Sequence, residues 1–585
     1  MSATRTTPAR APEPDRPSTS DPPDPAGSAD DTATAPFPRP SGTGTHRVVN
    51  QAPPLLGHDP LGCDPALVEA VRREGAGEAL PSLRQLGALI TSAEAAEHAR
   101  LAETHPPVLH TPDRYGHRID DVEFHPSWHW LLRTAVGWGL HGTPWVAEPG
   151  TGAHVARAAG FYLMAQLESG HGCPISMTYA AVPALRRDPE LAAAFEPGLR
   201  SCVYQPGATD PAKKTGLLAG MSMTEAHGGS DVRAASTTAT PSPDGSYRLV
   251  GHKWFTSAPT NDLFLTLAQA PGGLTCFVLP RVLPDGTRNA ITLLRLKNKL
   301  GNRSNASAEI EYTGATGWRL GDEGRGVAAI IEMVSMTRLD CVLGSAALTR
   351  VALSEAAHHA AHRSAFGARL ADAPLMQSVL SDLALESEAA TALALRLAGA
   401  ADRDERPFLR LALPAAKYLV CKRAPAVVAE ALECLGGNGF VEDSGLPRRY
   451  REAPLNSIWE GSGNVNALDV LRAVGREPPA VEALDKELSQ ARGLDRRVDA
   501  AMDRTLAAMR AVASADPVDS QLGARRLVQD LAVALQAALV VQYSPSVVAE
   551  TFVASRLGDA DGRVFGTLPV GAAAAKEVVD LAFAG

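Results

Sequence analysis

The chain has 585 residues, 45% of them hydrophobic, so it can bury a large core and is too long for one ordinary compact domain. Its formal net charge of −9 repels nucleic acid over the molecule as a whole, which leaves a local basic patch as the only route to DNA. Seven scattered cysteines with no CxxC pair argue against a disulfide framework and a thiolate zinc site; without a secretory-type leader or a run of about 18 apolar residues, a soluble cytoplasmic protein with no membrane contact is expected.

Residues 1–44 are rich in Pro, Ser, Thr, Ala and Asp and nearly lack large apolar side chains, the composition of a disordered tail. From 45 to 219 the pattern is helical with loops, as in Ala66 to Arg73 and His154 to Leu167. Between 220 and 318 the texture changes. Tyr247 to Val250, Leu263 to Leu267 and Leu274 to Leu279 are strand-like runs, and Asp244-Gly245 and Asp285-Gly286 are turn dipeptides, so a β-domain is predicted inside a helical protein. Helical pattern resumes over 319–475 and over a further stretch, 476–585. Leu380, Leu383, Ala390, Leu393 and Leu397 recur at helical steps, and Leu527, Leu531, Leu535 and Leu539 recur every four residues, both read as bundle cores. The apolar run Leu531 to Val541 is interrupted by Gln536 and reads as a core helix.

Chemistry concentrates in five places. Met223-Thr-Glu-Ala-His-Gly-Gly-Ser-Asp-Val232 sets bare glycines, Gly229 among them, between the hydroxyls of Thr224 and Ser230, so main-chain amides can approach a flat ring or an anion. Some twenty residues on, Gly251-His-Lys-Trp-Phe-Thr-Ser257 places Trp254 and Phe255 beside Thr256, suited to stacking on and hydrogen-bonding a heteroaromatic cofactor. Taken singly, either motif also suits an ordinary turn or a buried strand tryptophan. The remaining three are His362-Arg-Ser-Ala-Phe-Gly367, Glu433-Cys-Leu-Gly-Gly-Asn-Gly439 and Tyr450-Arg-Glu-Ala-Pro-Leu-Asn-Ser-Ile-Trp-Glu-Gly-Ser-Gly-Asn464.

In this order and spacing the five motifs resemble the acyl-CoA dehydrogenases. Val48 to Gln51, Phe124 to His129, Leu300 to Ala306, Met336 to Arg338 and Asn456 to Asn464 are similar to the alkylation-response branch of that family. The resemblance runs from Thr45 to the C-terminus and thins after Arg472. It implies a mainly α fold with a central β-domain: an N-terminal helical domain, a β-barrel-like middle domain and a C-terminal helical bundle, here followed by an added C-terminal helical domain. It implies FAD, held by Met223, Thr224, Gly229, Ser230, Trp254, Phe255 and Thr256. Arg363 and Phe366 would lie on a helix segment reaching the FAD of a neighbouring subunit, hence a homo-oligomer, a tetramer or at least a dimer. Glu433, Gly436, Gly437, Ile458, Trp459, Ser462 and Asn464 would complete the cofactor site. The implied substrate is an acyl-CoA or similar thioester, with Arg338 near it and Glu460 as the catalytic base.

Oxidation between Cα and Cβ removes an α-proton and delivers a β-hydride to the flavin, so a carboxylate must face the flavin across the substrate. Many relatives can place a base just before the Arg338 position, but Thr337 stands there, which leaves Glu460. Glu433 replaces a usual Gln, and Ala226-His227 replace a usual Pro-Gly, so His227 either alters the flavin potential or is an ordinary exposed loop histidine. The competing reading is a DNA-associated protection protein that carries flavin with little or no turnover.

Other constellations fall away. His125 and His129 have metal-like spacing, but Pro126 interrupts it and no further ligand is evident, so no metal is expected. Gly321-Asp-Glu-Gly-Arg-Gly326 has the wrong glycine spacing for a dinucleotide fingerprint, and no convincing strand precedes it. For DNA, Leu471 to Gly585 holds 13 Lys and Arg against 15 Asp and Glu, unlike a phosphate-neutralising domain. Only if Arg472, Arg496, Arg497, Arg525 and Arg526 share a face would a patch form, giving weak, non-specific duplex binding.

Overall fold

A computed structural model describes residues 48–512, 515–558 and 564–584, so the tail expected over 1–44 lies outside the described residues. The chain divides after Val49, and all that follows concerns the unit from Asn50 onward.

The first layer is helical: α1 (Pro65–Arg73), α2 (Leu80–Ile90) and α3 (Ala93–Thr104), then hairpin β1 (Val108–Pro112) and β2 (Arg118–Glu123), then α4 (Pro126–Gly137), α5 (Ala153–Leu167), α6 (Gly172–Leu185) and α7 (Pro189–Leu199). Local chemistry sets the starts. Asp64 accepts from the Leu67 amide with Pro65 in the first turn, and Ser92 accepts from Ala95. Helices α5 and α6 are buried on nearly all sides, in keeping with their all-round apolar sequence. The hairpin was not foreseen: its strands are short, and its turn closes on Asp113, which accepts from the amides of Tyr115 and His117.

The middle region contains β3 (Ala219–Ser222), β4 (Thr238–Pro241), β5 (Tyr247–Ser257), β6 (Leu263–Ala270), β7 (Gly273–Pro280), β8 (Ile291–Leu296) and β9 (Ser307–Leu320). Strands β6, β4, β5, β9 and β7 pair in that order, and β7 pairs back onto β6, so the sheet closes on itself. β9 corrects the sequence reading. A 14-residue strand does lead into Gly321, and it was missed because Thr313-Gly-Ala-Thr-Gly317 breaks the strand pattern. The strand is antiparallel to its neighbours, so the dinucleotide fingerprint is still excluded.

Long helices follow: α8 (Gly326–His362), then a two-residue hairpin of β10 (Ser364–Ala365) and β11 (Ala368–Arg369), then α9 (Pro374–Asp402) and α10 (Arg406–Cys434). The Arg363 to Gly367 segment was expected on a helix. Instead α8 ends at His362, Arg363 caps it, and Phe366 and Gly367 turn the hairpin with φ of 54° and 83°. Short α11 (Gly437–Phe440) and α12 (Leu446–Glu452) lead to α13 (Gly463–Arg476), and α14 (Pro478–Ser489), α15 (Arg496–Val512), α16 (Pro517–Tyr543), α17 (Ser546–Arg556) and α18 (Ala572–Ala582) complete the chain. Both leucine stripes are buried, as is Gln536, and no helix among the described residues is long and apolar enough to cross a membrane.

Candidate active site

Glu460 sits on the turn entering α13 with φ of 57°, a left-handed conformation that costs a non-glycine residue about 1–3 kcal/mol and persists only where its surroundings enforce it. Those surroundings seize the turn by its carbonyls. Lys417 Nζ of α10 donates to Trp459 O and Gly461 O, both at 2.8 Å. Arg338 Nε of α8 donates to Glu460 O at 3.0 Å, and Asn466 Nδ2 donates to Gly461 O at 2.6 Å and Ser462 O at 3.0 Å. Four consecutive carbonyls are thus held from inside. The amides of Glu460, Gly461 and Ser462 keep no partner among the described residues, and they adjoin the N-terminus of α13, where the helix dipole favours an anion or a partial negative charge.

The Glu460 carboxyl accepts from Thr337 Oγ1 at 2.7 Å. Burial pushes its pKa above the ordinary carboxylate range, opposed by the Thr337 hydrogen bond and the charges of Lys417 and Arg338. A half-buried carboxylate with a raised pKa suits a general base working near neutrality. Arg338 is itself buried and paired with Asp469 at 2.7 Å, which Arg410 also approaches at 3.1 Å. Its guanidinium, expected beside the substrate, therefore also anchors the base.

The flavin-type loop is latched to the barrel by Glu225. This buried carboxylate accepts from Lys253 Nζ at 2.8 Å, from the amides of Ser236 and Thr237, and from both their hydroxyls. Although burial opposes ionisation, the hydrogen bonds from Lys253, Thr237 and Ser236 hold its pKa well below the usual range. His227 and His252 lie close to Glu225; His252 Nε2 accepts from the Ala226 amide and His227 Nε2 meets Ala234 O, so these ring nitrogens serve the loop's own hydrogen bonds. Within the loop, a Cβ on Gly229 would stand 2.5 Å from Thr224 Oγ1, so the tight return needs glycine. Thr224 O accepts from the Trp254 amide at 2.7 Å, which ties the loop to β5. Thr256 is buried against Ser222, Phe255 is exposed and Ser230 is exposed. Lys297 Nζ lies 3.5 Å over the half-buried Trp254 ring. Met223, Met336 and Trp459 pack against one apolar cluster containing Cys173, Met177 and Met333, so the flavin-type loop and the Glu460 turn converge on it.

A second group gathers elsewhere. Asn50 accepts from the Ser364 amide at 2.7 Å, donates to Ser364 O at 2.8 Å, and takes a hydrogen bond from Arg363 on its carbonyl. Gln51 accepts from Asn438 at 3.3 Å, which joins the hairpin to the Glu433 to Gly439 loop. There Gly436 adopts φ 60°, ψ −140°, open to glycine alone, and both it and Gly437 face empty space, as a backbone cradle for a ligand would. Glu433, Ile458 and Asn464 are exposed, and Ser462 precedes α13 at its cap. Phe366 projects from the hairpin wholly into solvent, with Leu375 and Phe440 also largely exposed.

The sequence reading missed Lys417, Asn466 and Asp469, whose only signal was a charged or amide residue set in an apolar helical stripe. The arginines of the C-terminal region do not stand free as a set. Arg472 meets Asp469, Arg497 is held by Asp495 and Glu550, Arg526 by Asp530, and Arg525 donates to Tyr418; Arg496 is exposed.

Comparison with known proteins agrees with this geometry. Residues 50–206 match the N-terminal domain of the adaptive response protein AidB, 220–315 the middle domain of acyl-CoA dehydrogenases, and 324–475 their C-terminal domain. The chain is 50% identical over 467 residues to the putative acyl-CoA dehydrogenase AidB of Escherichia coli, covering 79% of this chain and 86% of that one. It is 33% identical over 479 residues to acyl-CoA dehydrogenase family member 11 of Caenorhabditis elegans, covering 76% of this chain and 75% of that one. The crystal structure of C. elegans ACDH-11 in complex with C11-CoA superposes with a TM-score of 0.78 at 28% identity, covering 94% of this chain and 93% of that one. With Glu460 on a clamped turn that shares an apolar cluster with a latched flavin-type loop, and 50% identical to AidB over 467 residues, the chain belongs to the acyl-CoA dehydrogenase family of FAD-dependent oxidoreductases.

Proposed function

We propose that this chain binds FAD and oxidises an acyl-CoA or similar thioester, with Glu460 removing the α-proton. The observation that carries the reading is the Glu460 turn itself: a strained, half-buried carboxylate beside amides that keep no partner among the described residues. Those amides suit a thioester carbonyl oxygen, whose polarisation acidifies the neighbouring C–H that Glu460 attacks. Bound FAD supplies the acceptor for the hydride that leaves the β-carbon. The residues fit such a group: Gly436 and Gly437 leave backbone bare, and the edge bearing Phe255 and Trp254 is accessible. The relative crystallised with C11-CoA supports a medium to long acyl thioester.

The cofactor site is completed between subunits, with the Arg363 to Gly367 hairpin facing a neighbour, in a homodimer at least and a tetramer by family pattern. The likeness to AidB makes the response to DNA alkylation the proposed setting. The purified protein is expected to be yellow, and mixing it anaerobically with acyl-CoAs of graded chain length should bleach the flavin band. Colourless protein that takes up no added FAD would sink the flavoprotein reading. A yellow protein that no acyl-CoA bleaches would leave only the carrier reading.

A further inference from the structure

We infer that Lys417 is the positioning residue of this site, holding Glu460 in its left-handed conformation and setting the charge of its carboxyl from behind. The inference rests on the reading of Glu460 as the base. Three observations meet here. Lys417 lies mid-way along α10 and is 1% exposed, as deeply buried as Asn466 on the other side of the turn's carbonyls. Its Nζ bonds the carbonyls immediately before and after Glu460, at 2.8 Å each, so the ammonium straddles the strained residue. It bonds no carboxylate. Lys253, Lys214 and Arg157, by contrast, pair with Glu225, Asp262 and Asp340.

Burying an ammonium on carbonyl dipoles alone is costly, and a well-packed apolar side chain would generally be more stable there. What the charge secures is local. Its two bonds fix the peptide plane entering Glu460 and the plane beyond Gly461, while Arg338 holds the plane between them through Glu460 O, and the positive charge favours the ionised carboxylate in a half-buried place. The groups facing Glu460 are Thr337, Arg338 and Cys341 from α8, Cys173 from α6 and Lys417 from α10. Arg338 is neutralised by Asp469, so of the two cations that act on the Glu460 carboxyl, Lys417 is the one with no ion-pair partner among the described residues.

The test uses the FAD-loaded protein and needs no substrate. The Glu460 carboxyl is titrated by difference infrared spectroscopy, its band assigned by subtraction of Glu460→Gln. In Lys417→Met the midpoint should rise by at least about one pH unit, and in Lys417→Arg it should stay near wild type, since charge returns with imperfect geometry. If the Met variant does not hold FAD, Lys417→Gln, which keeps one donor without charge, gives the same reading. An unshifted midpoint in the neutral variants would overturn the inference. The base reading is tested apart from this: wild-type thioester oxidation by Glu460→Gln would remove the base, whereas an inactive Glu460→Gln beside an unshifted Lys417→Met would dismiss Lys417 alone.

Discussion

Glu460 and Phe366 adopt nearly the same backbone conformation, φ 57° and 54°, in places that could hardly differ more. Around Glu460, four carbonyls are bound by buried side chains from α8, α10 and α13, so the chain itself enforces the strain. Around Phe366 the restraints are a two-residue hairpin, the Leu370 amide donating to Arg363 O and contacts through Asn50, while the ring itself is fully exposed among the described residues. Strain that a chain stabilises from within belongs to chemistry carried out by that chain; strain displayed on a bare apolar ring makes sense once another surface covers it. On this comparison the proposed role of Glu460 is catalysis and that of Phe366 is association.

The largest effect should come from the inner turn. Glu460→Gln keeps size and hydrogen-bonding and removes the base, and loss of a positioned base costs about 10²–10⁴-fold in rate. FAD content and assembly should be unchanged. Full activity in single-turnover flavin reduction would end the catalytic assignment.

At the outer hairpin the order of effects reverses. Phe366→Ser with Arg363→Ala should dissociate the oligomer, read by light scattering, and lower FAD retention on gel filtration, while the monomer stays folded because the ring contributes nothing to its core. An FAD-loaded, fully assembled double variant would break the comparison.

How far the sequence carried the two regions follows the same division. Residue types with a fixed chemical duty were legible: Glu460 in its flanking motif, the paired glycines, the tryptophan and threonine of β5. The barrel could be placed from the short strand-like runs beginning at Tyr247, Leu263 and Leu274 and from the Asp-Gly turns, but β9 hid behind Gly314 and Gly317, because local pattern cannot register a strand held mainly by its neighbours. Arg363 was read onto a helix, whereas the Phe366-Gly367 dipeptide turned out to be a hairpin with an unusual first residue. Lys417 and Asp469 were illegible for another reason. Their meaning lies in partners 42 and 131 residues distant, which no spacing rule encodes.

Between the two regions stands Thr337, whose hydroxyl favours the ionised form of Glu460. In Thr337→Val the base should titrate higher still. Because Glu460 acts when ionised, activity rises with pH through its raised pKa, so the acidic limb of kcat/KM should move upward. One hydrogen bond of about 0.5–1.5 kcal/mol corresponds to a shift of up to about one unit, at 1.36 kcal/mol per unit. Rates well above the limb should be nearly unaffected, which separates a change in ionisation from damage to the site. A limb that stays in place would mean that the hydroxyl serves packing only.

The smallest effect concerns the strain at Phe366. A non-glycine residue in the left-handed region costs about 1–3 kcal/mol, whereas glycine accepts it freely but loses about 0.5–1 kcal/mol more on folding through the entropy of its unfolded chain. Phe366 makes no side-chain contact whose loss would offset the gain. Phe366→Gly should therefore stabilise the dissociated subunit by about 1 kcal/mol, read as a higher urea midpoint at protein concentrations low enough to prevent association. The same substitution should weaken assembly, so at high concentration the order of the two midpoints inverts. A variant less stable than wild type at every concentration would show that the hairpin draws support from its own subunit, and the contrast with the Glu460 turn would fail.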